Sequence, residues 1–222
     1  MEVSAVIVAR GGSVRVPNKN LLEIRGEPLI ARKIRQLQQV EDIDRVIVGS
    51  DSESILEVAS KYGAEPILRP EIYCDERVSS ANEMIANMCD LFSTDIVMWT
   101  HCTNPLIRPE TYSKALQEFK KNEKLAFDSL ISVYEIREHL WKNSKPMNYN
   151  PWADVHPRAS ELEPLFGQDG GIFIQRYSNM KKNSYFFGSN PYLFKVPVDE
   201  VFDINTMLDF DRIKILIENL NL

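Results

Sequence analysis

The stretch SAVIVARGGSVRVPNKN at residues 4–20 sets the class of the fold. Its first six residues form a short apolar, β-branched run that breaks toward two glycines, which reads as a buried parallel strand feeding a loop. The loop carries three cations, Arg10, Arg15 and Lys19, with Gly11, Gly12 and the hydroxyl of Ser13 among them. In a doubly wound sheet, ligands sit outside the carboxyl ends of the strands, so this loop lies where a ligand would be. Glycines let backbone N–H groups approach an anion, Arg offers a two-pronged donor and Lys a point charge, and together they make a cradle for a polyphosphate. Neither GxxxxGK[ST] nor GxGxxG is present, which removes the common P-loop and dinucleotide classes.

Working outward, the chain alternates strand and helix. Pro28 opens an amphipathic helix through Leu29, Ile30, Ile34, Leu37 and Val40, and residues 45–49 (RVIVG) are the next strand. Asp51 or Ser52 caps a second helix that ends at Gly63, and residues 65–68 are a third short strand. Ser79-Ser80 precedes a helix reaching about Leu91, residues 95–100 are a strand, Pro109-Glu110 starts a helix to Lys121, and residues 129–134 are a strand. This order predicts an α/β fold of Rossmann-like type, with a doubly wound, mostly parallel sheet and right-handed crossovers. From Glu135 to about Gly167 the pattern fails among four prolines and two tryptophans, and the stretch is too long for an ordinary connection. It reads as an arm, at about 135–167, inserted in one domain spanning 1–222. Regularity returns at residues 170–174 (GGIFI) and 192–198, and a closing helix over 206–220 places Met207, Leu208, Phe210, Ile213, Leu216 and Ile217 inward.

Composition limits the function. With 222 residues, 44% of them hydrophobic and 26% charged, the chain is an ordinary globular protein. A net charge of −6 without long runs of one sign argues against a general nucleic-acid or anionic-membrane surface. The apolar run at 3–9 is too short for a signal peptide core or a membrane span, which places the protein in the cytoplasm. Cys74, Cys89 and Cys102 are odd in number and lack metal-ligand spacing, so reduced thiols are expected.

The run ARGGSVRVPNKN resembles the signature AR-x-x-S-x-x-x-P-x-K-N of CMP-acylneuraminate synthetases and related CMP-sugar cytidylyltransferases. That resemblance implies that Arg10, Ser13, Lys19 and Asn20 bind CTP, with Gly11 and Gly12 in the same cradle, and that Arg10 and Lys19 neutralise charge on the triphosphate. Arg69-Pro70 and Ser79-Ser80 are similar to a second family segment in which the arginine and second serine help hold the nucleotide, here Arg69 and Ser80. Residues 95–106 (DIVMWTHCTNPL) resemble a third segment, with His101 where a sugar-contacting glutamine often stands, Cys102 for a proline and Asn104 for a serine. His101 is therefore a candidate acceptor contact and, with a pKa near neutrality, a candidate general base. Gln168 and Asp169 open a run similar to the family's NGAIYI, with Asp169 in place of asparagine. FDINTMLDF at 202–210 resembles IDIDT-x-x-D-L, whose first two acids hold magnesium; Asp203 matches and Asn205 does not. An amide oxygen can still serve Mg²⁺, with one negative charge fewer. Asp209 reads as structural, in the first turn of a helix.

In the arm the resemblance implies homodimer formation and Arg158, beside Arg137 and Lys142, as a sugar-carboxylate contact. The reaction implied is CTP plus an acidic 2-keto sugar such as sialic, legionaminic or pseudaminic acid, giving a CMP-sugar and pyrophosphate with Mg²⁺. Two rivals stay open at this point: a cytidylyltransferase for a phosphonate or sugar-phosphate acceptor, and a non-catalytic nucleotide or sugar binder.

Overall fold

A computed structural model describes residues 1–13 and 15–220; Val14 of the first loop lies outside them. In chain order come β1 (Val3–Val8), β2 (Glu23–Ile24), β3 (Glu27–Pro28), α1 (Leu29–Gln38), β4 (Arg45–Ser50), α2 (Glu53–Lys61), β5 (Glu65–Leu68), α3 (Ala81–Asp90) and β6 (Ile96–Thr100). They are followed by α4 (Pro109–Asn122), β7 (Ser129–Ile136), β8 (Trp141–Lys142), β9 (Lys145–Pro146), β10 (Leu165–Arg176), α5 (Tyr177–Asn183), β11 (Pro191–Lys195) and α6 (Met207–Leu220). Seven strands form one sheet in the order β11-β7-β10-β6-β1-β4-β5. β1 pairs in parallel with β4 and β6, β4 with β5, and β11 with β7.

The chain winds from β1 to β4 and β5, then returns to place β6 on the other side of β1. The carboxyl ends of β1 and β6 therefore border the crevice where a doubly wound sheet takes its ligand. Side chains alternate across the pleat, so Val3, Ala5 and Ile7 of β1 pack with α1, α2, α4 and α6, while Val6 packs with Ile85, Met88 and Met180 on the opposite face. The result is a three-layer α/β/α sandwich.

Three expectations need correction. Irregularity does not begin at Glu135 or run to Gly167: Leu165, Phe166 and Gly167 pair antiparallel with Ile136, Glu135 and Tyr134, so β7 and β10 run on as a ladder beyond the core. There the strands carry charged and exposed residues, and apolar alternation, the signal used to find them, is lost. Secondly, Met207, Leu208 and Leu216 of α6 are exposed, and the buried stripe is Phe210, Ile213 and Ile217. A helix packed on one sheet buries a single face at i, i+3, i+7, and the other apolar residues fall off it. Thirdly, the hairpin β2–β3 and the seven-residue α5 lie in stretches that the sequence reading leaves without elements. The hairpin turns at Arg25 and Gly26, both with positive φ.

Candidate functional site

A cleft of about 420 Å³ opens at the carboxyl ends of β1, β5 and β6. It gathers Arg10, Ser13, Lys19, Asn20, Arg69, Ser80, His101, Asp203 and Asn205 from the expected set, and adds Arg15, Tyr73, Glu76 and Ser79.

The first loop is shaped by local bonds. Gly11 N–H donates to Asp51 Oδ1 at 2.8 Å, and a Cβ on Gly11 would stand 2.9 Å from Ser52 Cβ, so the loop reaches the end of β4 only with glycine there. That N–H is spent inside the protein, and Gly12 is exposed on the loop; neither glycine is part of the cleft wall. Asn20 Nδ2 donates to Arg10 O at 3.2 Å, which ties the two ends of the loop together. Lys19 Nζ donates to Ile204 O at 2.9 Å, and burial lowers its pKa against the opposing pull of Asp203. Arg10 Nη2 donates to Glu76 Oε1 at 3.0 Å, so a carboxylate from this chain occupies the cation expected to meet the triphosphate.

Arg69 is 2% exposed, and most of its donors are used internally: Nε to Asn87 Oδ1 at 3.1 Å, and Nη2 to Tyr73 O at 3.3 Å and Met84 O at 3.1 Å. It forms the floor of the cleft. Ser80 lines the cleft and also caps α3, accepting from Glu83 N while Glu83 Oε2 accepts from Ser80 N.

On the opposite wall, the ring of His101 lies 6.1 Å from that of Phe186 and 6.2 Å from that of Phe173. The packed surroundings push its imidazole down to about 4, with Asp203 opposing the shift and Lys33 and Lys19 adding to it. The expected near-neutral base is thus replaced by a ring that stays uncharged at pH 7, because loss of hydration penalises the imidazolium.

Asp203 is exposed at the cleft, and Asn205 Nδ2 donates to its Oδ2 at 2.7 Å. Capping of α6 is done by other residues: Asp209 Oδ2 accepts from the amides of Asn205 and Thr206 and from Thr206 Oγ1. Asp203 is thereby left for the cleft, and Asp209 is structural as its position implied. Asp169 sits behind this wall in a bulge of β10, where the register shifts between Gln168 and Phe173. Its Oδ1 accepts from Ser132 Oγ and from Gly171 N, its Oδ2 is buried without a partner among the described residues, and burial raises its pKa. Gln168 and Arg158 are not brought into the cleft; Arg158 is exposed and paired with Glu161 at 2.6 Å, as a solvated arginine in an irregular segment commonly is. Arg137, the other arginine there, is held by Glu135 and by Leu162 O at 3.0 Å.

Residues 4–220 match the family model described as cytidylyltransferase. The chain belongs to the cytidylyltransferase family. A pseudaminic acid cytidylyltransferase of Campylobacter jejuni is 28% identical over 97% of this chain and 96% of its own length. A 3-deoxy-manno-octulosonate cytidylyltransferase of Chlorobium chlorochromatii is 41% identical over 77% of this chain and 61% of its own. A solved CMP:2-keto-3-deoxy-manno-octonic acid synthetase complexed with CTP superposes with a TM-score of 0.73 at 19% identity, covering 99% of both chains. The cytidylyltransferase fold expected from residues 4–20 is borne out, and the cleft of this cytidylyltransferase lies at the loop those residues build. No helix among the described residues is long and apolar enough to cross a membrane.

Glu76 and Asn104 were given no role by the sequence reading. Asp75 or Glu76 was seen only as standing near the aspartate of the second family segment. Asn104 was visible only as a departure from a family pattern, with no sign of what its amide binds.

Proposed function

We propose that this cytidylyltransferase joins CMP from CTP to an acidic 2-keto sugar of the nonulosonic type, such as pseudaminic, legionaminic or sialic acid, and releases pyrophosphate. The observation that carries the reading is the convergence of Arg10, Arg15 and Lys19 with Asp203 on one cleft. The anomeric hydroxyl attacks the α-phosphorus in line, a P–O bond to the sugar forms, the bond to the β-phosphate breaks, and the hydroxyl proton passes to solvent. Such a transfer needs alignment and charge neutralisation more than covalent help. Arg10 exchanges Glu76 for phosphate oxygens, Lys19 is held at Ile204 O facing the same space, and Ser13 and Asn20 supply polar contacts at the loop. His101, uncharged, offers a hydrogen bond to the acceptor rather than a stored proton.

Mg²⁺ fits the donor set. Asp203 and the amide oxygen of Asn205, whose nitrogen is turned toward Asp203, are hard oxygen donors, and Mg²⁺ needs only one or two such ligands beside phosphates and water. When bound it would neutralise phosphate charge and favour departure of pyrophosphate. The chain acts as one domain in the cytoplasm. The segment between β7 and β10, with Trp141, Trp152 and Val155 exposed, is the arm through which two copies pair.

Pyrophosphate release tests the reading, with CTP, Mg²⁺ and a panel of nonulosonic and 3-deoxy-octulosonic acids, beside Lys19→Ala. Release with one acidic sugar, lost in the variant, is expected. Silence across the panel while CTP still binds would overturn the acceptor assignment.

A further inference from the structure

We propose that Asn104 is a positioning residue for Asp203, its side-chain amide fastening the irregular loop that carries this carboxylate to the Asp169 turn. The inference rests on the reading of Asp203 as the carboxylate that meets the metal of the CTP complex.

Residues 201–205 form no regular secondary structure, so their geometry comes from individual tethers. Asn104 is 1% exposed, and its Nδ2 donates to Phe202 O at 3.1 Å and to Asp169 O at 3.1 Å. Both N–H bonds of the amide are thereby committed, one to the residue before Asp203 and one to the β10 bulge. On the other side of Asp203, Ile204 N donates to Thr103 O at 2.9 Å, and Ile204 O accepts from Lys19 Nζ. The carboxylate is bracketed at both neighbours, and two of the three tethers come from the turn after β6. That turn is supported from below: Lys33, wholly buried on α1, donates from Nζ to Asn104 O at 2.8 Å and to Tyr112 OH at 2.5 Å. Thr100 Oγ1, within 3.1 Å of Tyr112 OH, donates to Gly171 O at 2.7 Å, which returns the network to the same bulge. A short side chain with two donors in a plane can join two carbonyls in this way. Serine offers one donor and aspartate none, so the two substitutions grade the loss.

The test uses Mn²⁺ as probe, titrated by water-proton relaxation enhancement into enzyme saturated with CTP, for wild type, Asn104→Ser, Asn104→Asp, Asp203→Asn and Leu116→Ala. Leu116→Ala opens a cavity in α4 and serves as a stability control. Losing one tether is expected to weaken Mn²⁺ roughly five-fold in Asn104→Ser, and losing both over tenfold in Asn104→Asp. kcat should fall in step while the KM for CTP stays within about two-fold, because the phosphate cations are untouched. Leu116→Ala should melt lower with wild-type Mn²⁺ affinity. If Asn104→Ser melts lower but binds Mn²⁺ and turns over as wild type, while Asp203→Asn loses Mn²⁺, the positioning role falls and the metal reading stands. If Asp203→Asn binds Mn²⁺ normally, the metal reading itself falls and takes this inference with it.

Discussion

Replacing Lys33 by methionine separates the charge of a buried lysine from its volume, and the effect can be worked out before the experiment. Lys33 is wholly buried, and loss of hydration moves its ammonium from the usual 10.5 down to about 7. The direction of the stability change follows from proton counting. Below pH 7 both folded and unfolded chains carry the charge, and the folded state bears the full cost of burying it. Between 7 and 10.5 the folded chain releases the proton while the unfolded chain keeps it, so stability rises with pH. The slope is about 1.4 kcal/mol per pH unit, or roughly 2 kcal/mol from pH 7 to pH 8.5, which for a chain of this size is about 4–8 °C in Tm. His101 and the buried thiols titrate outside this window, and Lys19, also lowered by burial, is common to wild type and variant. His101, lowered to about 4, adds stability only as pH rises from about 4 to 6.5, and the buried thiols Cys89 and Cys102, raised to about 12, remove it only above 9. Urea midpoints of the ligand-free protein at pH 6.5, 7.5 and 8.5 should climb more steeply for wild type than for Lys33→Met. At pH 8.5 the variant should also be weaker than wild type by about 1–3 kcal/mol, since Asn104 O loses its lysine partner and Tyr112 OH keeps only Thr100. Parallel pH curves for the two proteins would refute the reasoning.

Glu76→Gln should bind CTP about two- to five-fold more tightly by calorimetry at low salt, because the triphosphate no longer displaces a carboxylate from Arg10 at an exposed pair; unchanged affinity would mean that the pair opens without cost. Gly171→Ala should lose roughly 1–3 kcal/mol and activity with it, since its Cβ would stand 2.3 Å from Ile107 Cδ1. Adding Ile107→Val, which deletes that methyl, should recover part of the loss in melting temperature, and a double variant no better than the single would contradict the clash. His101→Gln should flatten the fall in stability between pH 6.5 and 4, followed by urea midpoints, because the glutamine has no proton to gain on unfolding; an unaltered acid limb would place that titration elsewhere.

The strand and helix alternation was legible because apolar β-branched runs and amphipathic runs differ in period, and Gly63, Pro28 and Ser80 punctuate them. Strand direction was not. The run GGIFI announces a buried strand but not that it lies antiparallel between β6 and β7, since the same apolar residues suit either orientation. Arg10 and Lys19 could be named in advance because they stand in a cation-rich, glycine-bearing loop after the first strand, and Asp203 because residues 202–210 resemble a family segment. Arg69 lines the cleft, while the commitment of its guanidinium to Asn87, Tyr73 and Met84 depends on segments 4 to 18 residues away. Burial makes the same difference at His101, whose residue type gives a pKa near neutrality and whose packing removes it. Arg158 shows the converse: a cation in an irregular segment carries no signal that tells a ligand contact from a surface ion pair.

The bulge at Asp169 lies in the middle of β10, with Leu165–Gln168 paired to β7 before it and Phe173–Arg176 paired to β6 after it. A strand without such a break transmits any insertion as a flip of every following side chain to the other face. Here the extra residues absorb the change, as a slack link does in a chain, and the two halves keep their own phase. The outer half can accept insertions and deletions from the segment before it while the inner half keeps Phe173 against Trp99. Variation in length is thus tolerated beyond the bulge without disturbing the pairing of β10 with β6, and one catalytic frame can carry differently built outer segments.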